Sequence, residues 1–217
     1  MAIVHGASAS PFVRKVRVFL AEKGVPYELN PVTPFPPLKP EFKQISPLGK
    51  IPVYQDGAFS VPDSSVICAY LERKHPSPPL YPQQHEDYAR ALWFEEWADG
   101  GLVTVAGPKI FFPRVIGVLL MKKPADEEAV TKAIREDLPP YLDYLEGELG
   151  DGDWLVGGRF SIADIGVGSQ FVNLKHAGVT ADAARWPKLA AYVDRVHSRP
   201  SFKALIEEES KLFSSLK

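Results

Sequence analysis

The spacing of apolar positions divides the chain at a proline cluster. Before residue 76, short runs of strand character alternate with helical ones, and beyond residue 83 only helical periods recur. Ala2–His5 predicts a short strand and Gly6-Ala7-Ser8-Ala9 a turn of small residues. Ser10-Pro11 then supplies an N-cap and a proline at the first helical position. Phe12, Val13, Val16, Phe19 and Leu20 share one helical face, with Arg14, Lys15, Glu22 and Lys23 largely off it. Gly24 and Pro26 close that helix, and Tyr27–Asn30 adds a second strand, so the chain opens as βαβ. After a proline-rich loop, Glu41–Ile45 gives a helical turn or two.

Lys50 to Gln55 predicts a strand, Asp56-Gly57 a turn, and Phe59 to Val61 the partner strand. Pro62 stops the sheet and Asp63 caps a helix that runs to about His75, with Val66, Ile67, Tyr70 and Leu71 as its buried face. Cys68 sits beside that face as a small packing residue. The second proline cluster, residues 76–82, cannot lie inside a helix or a sheet. The expected organisation is a mixed α/β domain over 1–76, a linker over 77–83 and an all-helical domain over 84–217.

In the helical part, Gln84 to about Gly100 predicts a helix that Asp99-Gly100-Gly101 kinks or interrupts. Leu102–Met121 is apolar but broken by Pro108, Lys109, Pro113 and Arg114, which excludes a membrane span. Asp126–Leu149 is a long helix bent at Pro139-Pro140. Phe160-Ser161-Ile162-Ala163-Asp164-Ile165 carries a capping box, Ser161 with Asp164, inside a hydrophobic staple of Phe160 and Ile165. Gly166-Val167-Gly168 lacks the strand and third glycine of a dinucleotide loop and predicts close helix approach instead. Trp186-Pro187 opens a further helix.

Composition narrows the function. With 217 residues the chain is long enough for one large or two small domains without covalent staples. A net charge of −2 argues against a nucleic-acid or anionic-membrane surface. One cysteine excludes an internal disulfide and a Cys-x-x-Cys redox pair, and the first residues lack a secretory pattern. A reduced, cytoplasmic protein is expected.

Two places offer chemistry. Pro52 has no N–H for a ladder, and a cis bond at Ile51-Pro52 would turn the Ile51 backbone toward a ligand. The N–H groups around Ser64 and Ser65, at a helix start, suit a carboxylate. At Ser10 a hydroxyl and a helix dipole can together stabilise a bound thiolate. A thiol of pKa about 8.5 is only about 3% ionised at pH 7, and lowering that pKa by about 2 units takes about 2.7 kcal/mol. Ser8, in the same turn, is the alternative thiol partner.

Lys50-Ile51-Pro52-Val53 with Asp63-Ser64 resembles the glutathione-binding segment of the glutathione S-transferase family. Ser10-Pro11-Phe12, followed by Lys15-Val16-Arg17, looks like the serine-type start of tau-class and related bacterial members, and the Ser161/Asp164 box matches in family order. Asp63 departs from the family's usual Glu, and Lys39 slips by about one position against the tau pattern. The resemblance implies an α/β thioredoxin-like N-terminal domain plus an all-α C-terminal helical domain, the glutathione S-transferase fold. It implies Ser10 as the catalytic residue, and Phe12, Lys39, Lys50, Ile51, Pro52, Asp63 and Ser64 around glutathione as co-substrate. Phe111 and Phe112 are the candidates for the wall of a pocket for a hydrophobic electrophile. No metal is implied, and a homodimer is expected. A glutathione-dependent isomerase or peroxidase, or a non-catalytic binding module, would use the same scaffold.

Overall fold

The computed structural model of the chain describes residues 1–33, 35 and 37–216. The expected proline-rich loop includes Pro34 and Pro36, which lie outside the described residues. The chain divides into two compact units, Met1–Tyr81 and Pro82–Lys217.

The first unit is built on a four-stranded mixed sheet in the order β2-β1-β3-β4. β1 (Ala2–His5) lies parallel to β2 (Tyr27–Asn30) and antiparallel to β3 (Val53–Asp56), which pairs antiparallel with β4 (Phe59–Pro62). β3 starts at Val53 rather than Lys50, in keeping with the missing N–H of Pro52. The helices are α1 (Pro11–Glu22), α2 (Pro40–Ile45) and α3 (Ser64–Lys74).

Two expectations about helix faces change. α1 is buried all round from Val13 to Leu20, with Arg14, Lys15 and Arg17 inside along with the apolar residues. Each buried cation needs partners: Arg17 Nε donates to Tyr27 Oη at 2.8 Å, and Lys15 Nζ donates to Ser65 Oγ at 2.9 Å. On α3 the core face is Ile67, Cys68 and Leu71, whereas Val66 is 50% exposed and Tyr70 half-buried. The face is rotated by about one residue from that expected, because Cys68 takes the inward position. After α3, Lys23 ties the proline-rich stretch down, with Nζ 2.6 Å from Glu72 Oε2 and donating to Pro78 O.

The second unit is helical. α4 (His85–Glu96) continues through a π-helical stretch at Trp97–Leu102, α5 (Val103–Val105) and a second π-helical stretch at Ala106–Gly117. Asp99-Gly100-Gly101 therefore widens the coil instead of breaking it, and Pro113 lies inside the second stretch. α6 (Glu127–Lys132) passes through a π turn at Ala133–Asp137 into α7 (Pro139–Glu148), which Pro139 opens. α8 (Ile162–His176) is the centre of this unit, buried from Ile162 to Leu174. α9 (Pro187–Ser198) and α10 (Pro200–Ser215) complete it.

Gly168 shows why α8 carries glycine. A Cβ there would stand 2.5 Å from Val196 Cγ1 and 3.0 Å from Phe202 Cζ, so only a bare backbone admits α9 and α10 so closely. The capping box forms at its start, with Asp164 Oδ2 accepting from Ser161 N–H at 2.9 Å and Ser161 Oγ from Ala163 N–H at 3.3 Å. Phe160 packs edge-on against Trp154, with the Arg199 guanidinium 3.9 Å above its ring. Among the described residues no helix is long and apolar enough to cross a membrane.

Candidate functional site

Strand register brings three segments to one end of the sheet. His5 stands opposite Val53, and Val53 opposite Pro62. The turn after β1, the segment before β3 and the helix start after β4 therefore leave from the same edge. A Cβ placed on Gly6 would lie 3.5 Å from Ile51 Cβ and would overlap Val13, so the missing side chain lets the β1–α1 turn lie close. The sequence-predicted residues Ser10, Ile51, Pro52, Asp63 and Ser64 all belong to these three segments.

The Ile51-Pro52 peptide is cis. Among the described residues Ile51 N–H and C=O form no hydrogen bond, although neighbouring groups do: Lys50 O accepts from Ser46 Oγ at 2.7 Å, and Pro52 O from Asp63 N–H at 3.3 Å. A donor and an acceptor on one half-buried residue beside a sheet are what an added peptide strand pairs with.

Asp63 caps α3 from a backbone conformation that L-residues rarely adopt, φ +79°. Its Oδ1 accepts from Ser65 N–H at 3.0 Å and from Val66 N–H at 3.1 Å. That modifies the expectation of open N–H groups at both serines, since Ser65 N–H is held by the cap itself. Ser64 N–H and Asp63 Oδ2 remain without a bonded partner among the described residues. An amide donor at a positive helix end can receive a carboxylate, and the second Asp oxygen can receive an ammonium group.

Ser10 is the N-cap of α1, and its Oγ accepts from Val13 N–H across a long 3.4 Å. The cap uses one lone pair, and among the described residues the hydroxyl proton has no acceptor. It can therefore donate to an anion at the positive end of α1. Ser8, half-buried in the same turn, is itself engaged by other groups of the protein.

The remaining predicted residues are more scattered. Phe12 is half-buried in the first turn of α1. Lys39, at the N-cap of α2, and Lys50 are both exposed. In the second unit Phe111 is buried against Phe213 of α10, with ring centroids 6.2 Å apart, whereas Phe112 is half-buried. Missing from the predicted set are Ser65 Oγ and the buried Lys15 that donates to it. The available signal was a basic triplet, Arg14, Lys15 and Arg17, interrupting an otherwise apolar helix.

The chain thus consists of a thioredoxin-like α/β unit with a cis-proline segment and an all-helical unit. Residues 4–79 match the model of the glutathione S-transferase N-terminal domain, and residues 113–209 that of the C-terminal domain. The chain is 29% identical to glutathione S-transferase F13 of Arabidopsis thaliana, covering 92% of each protein. It is 30% identical to glutathione S-transferase theta-1 of Bos taurus over 85% of this chain and 78% of that one. Its structure superposes with a TM-score of 0.75, at 32% identity and 94% coverage of each chain, on a glutathione S-transferase of Methylobacterium radiotolerans JCM 2831 in complex with glutathione sulfonate. The chain belongs to the glutathione S-transferase family.

Proposed function

We propose that the protein is a serine-type glutathione transferase that conjugates glutathione to hydrophobic electrophiles. The observation that supports this reading is the register His5–Val53–Pro62, which brings the segments of Ser10, Ile51 and the start of α3 to one end of the sheet. The cysteinyl backbone of glutathione pairs with Ile51 N–H and C=O beside Pro52. The γ-glutamyl carboxylate meets Ser64 and the ammonium meets Asp63. Lys39 and Lys50 are available to the glycine carboxylate, and Phe12 flanks the thiol. The relative in complex with glutathione sulfonate supports the same ligand class here.

Ser10 O–H donates to the sulfur, and the N-terminal end of α1 favours its negative charge. The thiolate attacks an electrophilic carbon, the new S–C bond forms, and the leaving group departs with its electron pair. The thiol proton goes to solvent. Phe112 contributes to the apolar surface for the second substrate, whereas Phe111 is taken up in packing against Phe213. The protein works as a cytoplasmic homodimer, as family membership leads one to expect.

Equilibrium binding of glutathione, ultraviolet absorbance of the bound thiolate and turnover of a panel of electrophiles test this. Ser10→Ala is expected to lower the conjugation rate about 100-fold, equivalent to about 2.7 kcal/mol, and to leave glutathione affinity within about threefold. Ser8→Ala should turn over near the wild-type rate. Full activity in Ser10→Ala removes that residue from the mechanism. Bound thiolate without conjugation of any electrophile turns the reading toward an isomerase or peroxidase. No binding at millimolar glutathione leaves only a non-catalytic module.

A further inference from the structure

From the buried bond between α1 and α3 we infer that Lys15 is a positioning residue for the ligand carboxylate, acting through Ser65. The inference rests on the glutathione reading above and adds to it a residue that touches no ligand.

Lys15 is fully buried, and its Nζ lies 2.9 Å from Ser65 Oγ. An ammonium group has three donors and no acceptor, so this bond has one possible polarity: Nζ donates and Oγ accepts. Ser65 O–H must then point elsewhere, and among the described residues it has no acceptor. Ser65 N–H is separately held by Asp63 Oδ1 at 3.0 Å, which fixes the residue's backbone. A serine hydroxyl normally rotates between donating and accepting. Here the buried cation removes that choice, and Ser65 stands as a donor one residue beyond Ser64, whose N–H also has no acceptor among the described residues. Three features converge at the start of α3: an amide donor, a hydroxyl held as donor, and a desolvated positive charge behind it. A carboxylate suits all three, and a charge-assisted bond in this setting is stronger than a neutral one. Ser64 N–H, Ser65 O–H and Lys15 offer a cation no acceptor, and the acceptor at this helix start is Asp63 Oδ2.

The test compares two probes on the full-length protein. One is glutathione. The other is 4-aminobutyryl-cysteinyl-glycine, which lacks only the γ-glutamyl α-carboxylate. Calorimetry is run on the wild type, Lys15→Met, Ser65→Ala and the double variant. Lys15→Met keeps the apolar stem and removes the cation. Each single variant is expected to weaken glutathione about tenfold and to change affinity for the shortened peptide less than twofold. The double variant should be no worse than the weaker single, since the two residues act in series. Lys15→Arg, which retains charge and donors, should recover most of the loss. A merely structural role for Lys15 would weaken both probes alike, and that outcome overturns the inference. Unchanged glutathione affinity in Ser65→Ala also overturns it, even where Lys15→Met fails to fold. Failure of the wild type to bind either probe sinks the underlying ligand reading instead, so the two failures are distinguishable.

Discussion

The starts of α8 and α3 are both closed by a short polar side chain, and they differ in what is left over. At α8 the carboxylate of Asp164 is buried and takes four donors. These are Ser161 N–H at 2.9 Å, Ser161 O–H at 3.3 Å, Leu155 N–H at 3.1 Å and Tyr192 O–H at 2.9 Å. At α3 the carboxylate of Asp63 is exposed and uses one oxygen on two amides, and its second oxygen and Ser64 N–H have no bonded partner among the described residues. The same capping chemistry serves folding where every group is paired and sealed. On the proposed reading it serves ligand binding where part of the hydrogen-bonding capacity is left unused. The backbone at the two caps differs in the same sense. Ser161 is extended, at φ −145°, whereas Asp63 is held at φ +79°.

Breaking the closed end should have the largest effect. Asp164→Ala leaves two amides and the Tyr192 hydroxyl buried without their acceptor, at about 1–3 kcal/mol each and not additive. A stability loss of about 4 kcal/mol is expected, read by calorimetry as a fall of about 10 °C in the unfolding midpoint. Glutathione affinity at low temperature should stay unchanged. A midpoint within about 2 °C of wild type would show that the box contributes little.

The closed end also titrates. Burial lifts the Asp164 carboxyl from 3.8 to about 6, against the pull of the Leu155 and Ser161 amides, which favour the charged form. The folded chain then holds its proton more tightly than the unfolded one. Its contribution is fully present below about pH 4 and is lost as pH rises through about 6. The span of about 2 units corresponds to about 3 kcal/mol. Asp56 and Glu127 act in the opposite sense and toward lower pH, because Lys74 and Arg114 hold their pKa values down. The informative quantity is therefore the stability difference between wild type and Asp164→Asn, which cannot ionise. Wild type should lose ground against this variant between pH 4 and 6, and a flat difference would remove the titration from Asp164.

How much of each end was legible follows from the same contrast. Ser161 and Asp164 at capping-box spacing, Ser10-Pro11, Asp56-Gly57 and Asp63 after Pro62 are local signals, and each marks a real boundary. Family membership and the two-part architecture followed from such signals lying in order along the chain. What could not be read depends on partners distant in sequence. Lys15 looked like a solvent-facing charge because its partner, Ser65, lies 50 residues away. Val66 looked buried by period, but the inward position went to Cys68. Asp99-Gly100-Gly101 looked like a break because composition does not distinguish an interrupted helix from one that widens to the π form. Tyr192, the fourth donor on Asp164, lies 28 residues further along the chain.

The open end gives the smallest change in stability and the sharpest separation of the two roles. Glycine adopts φ +79° without the strain of about 1–3 kcal/mol that a β-carbon brings, and as an N-cap it falls short of Asp by only a few tenths of a kcal/mol. Asp63→Gly should therefore leave the protein as stable as wild type or more stable by about 1 kcal/mol, measured by denaturant unfolding. Its affinity for glutathione should fall about tenfold or more, because in the proposed binding mode the carboxylate that meets the ligand ammonium is gone. Asp63→Asn keeps the cap and removes the charge, so it should fall between the two in affinity and stay near wild type in stability. If Asp63→Gly instead lost more than about 1 kcal/mol and bound glutathione as before, Asp63 would belong with Asp164 as a folding residue. The start of α3 would then be a second closed end rather than an open one.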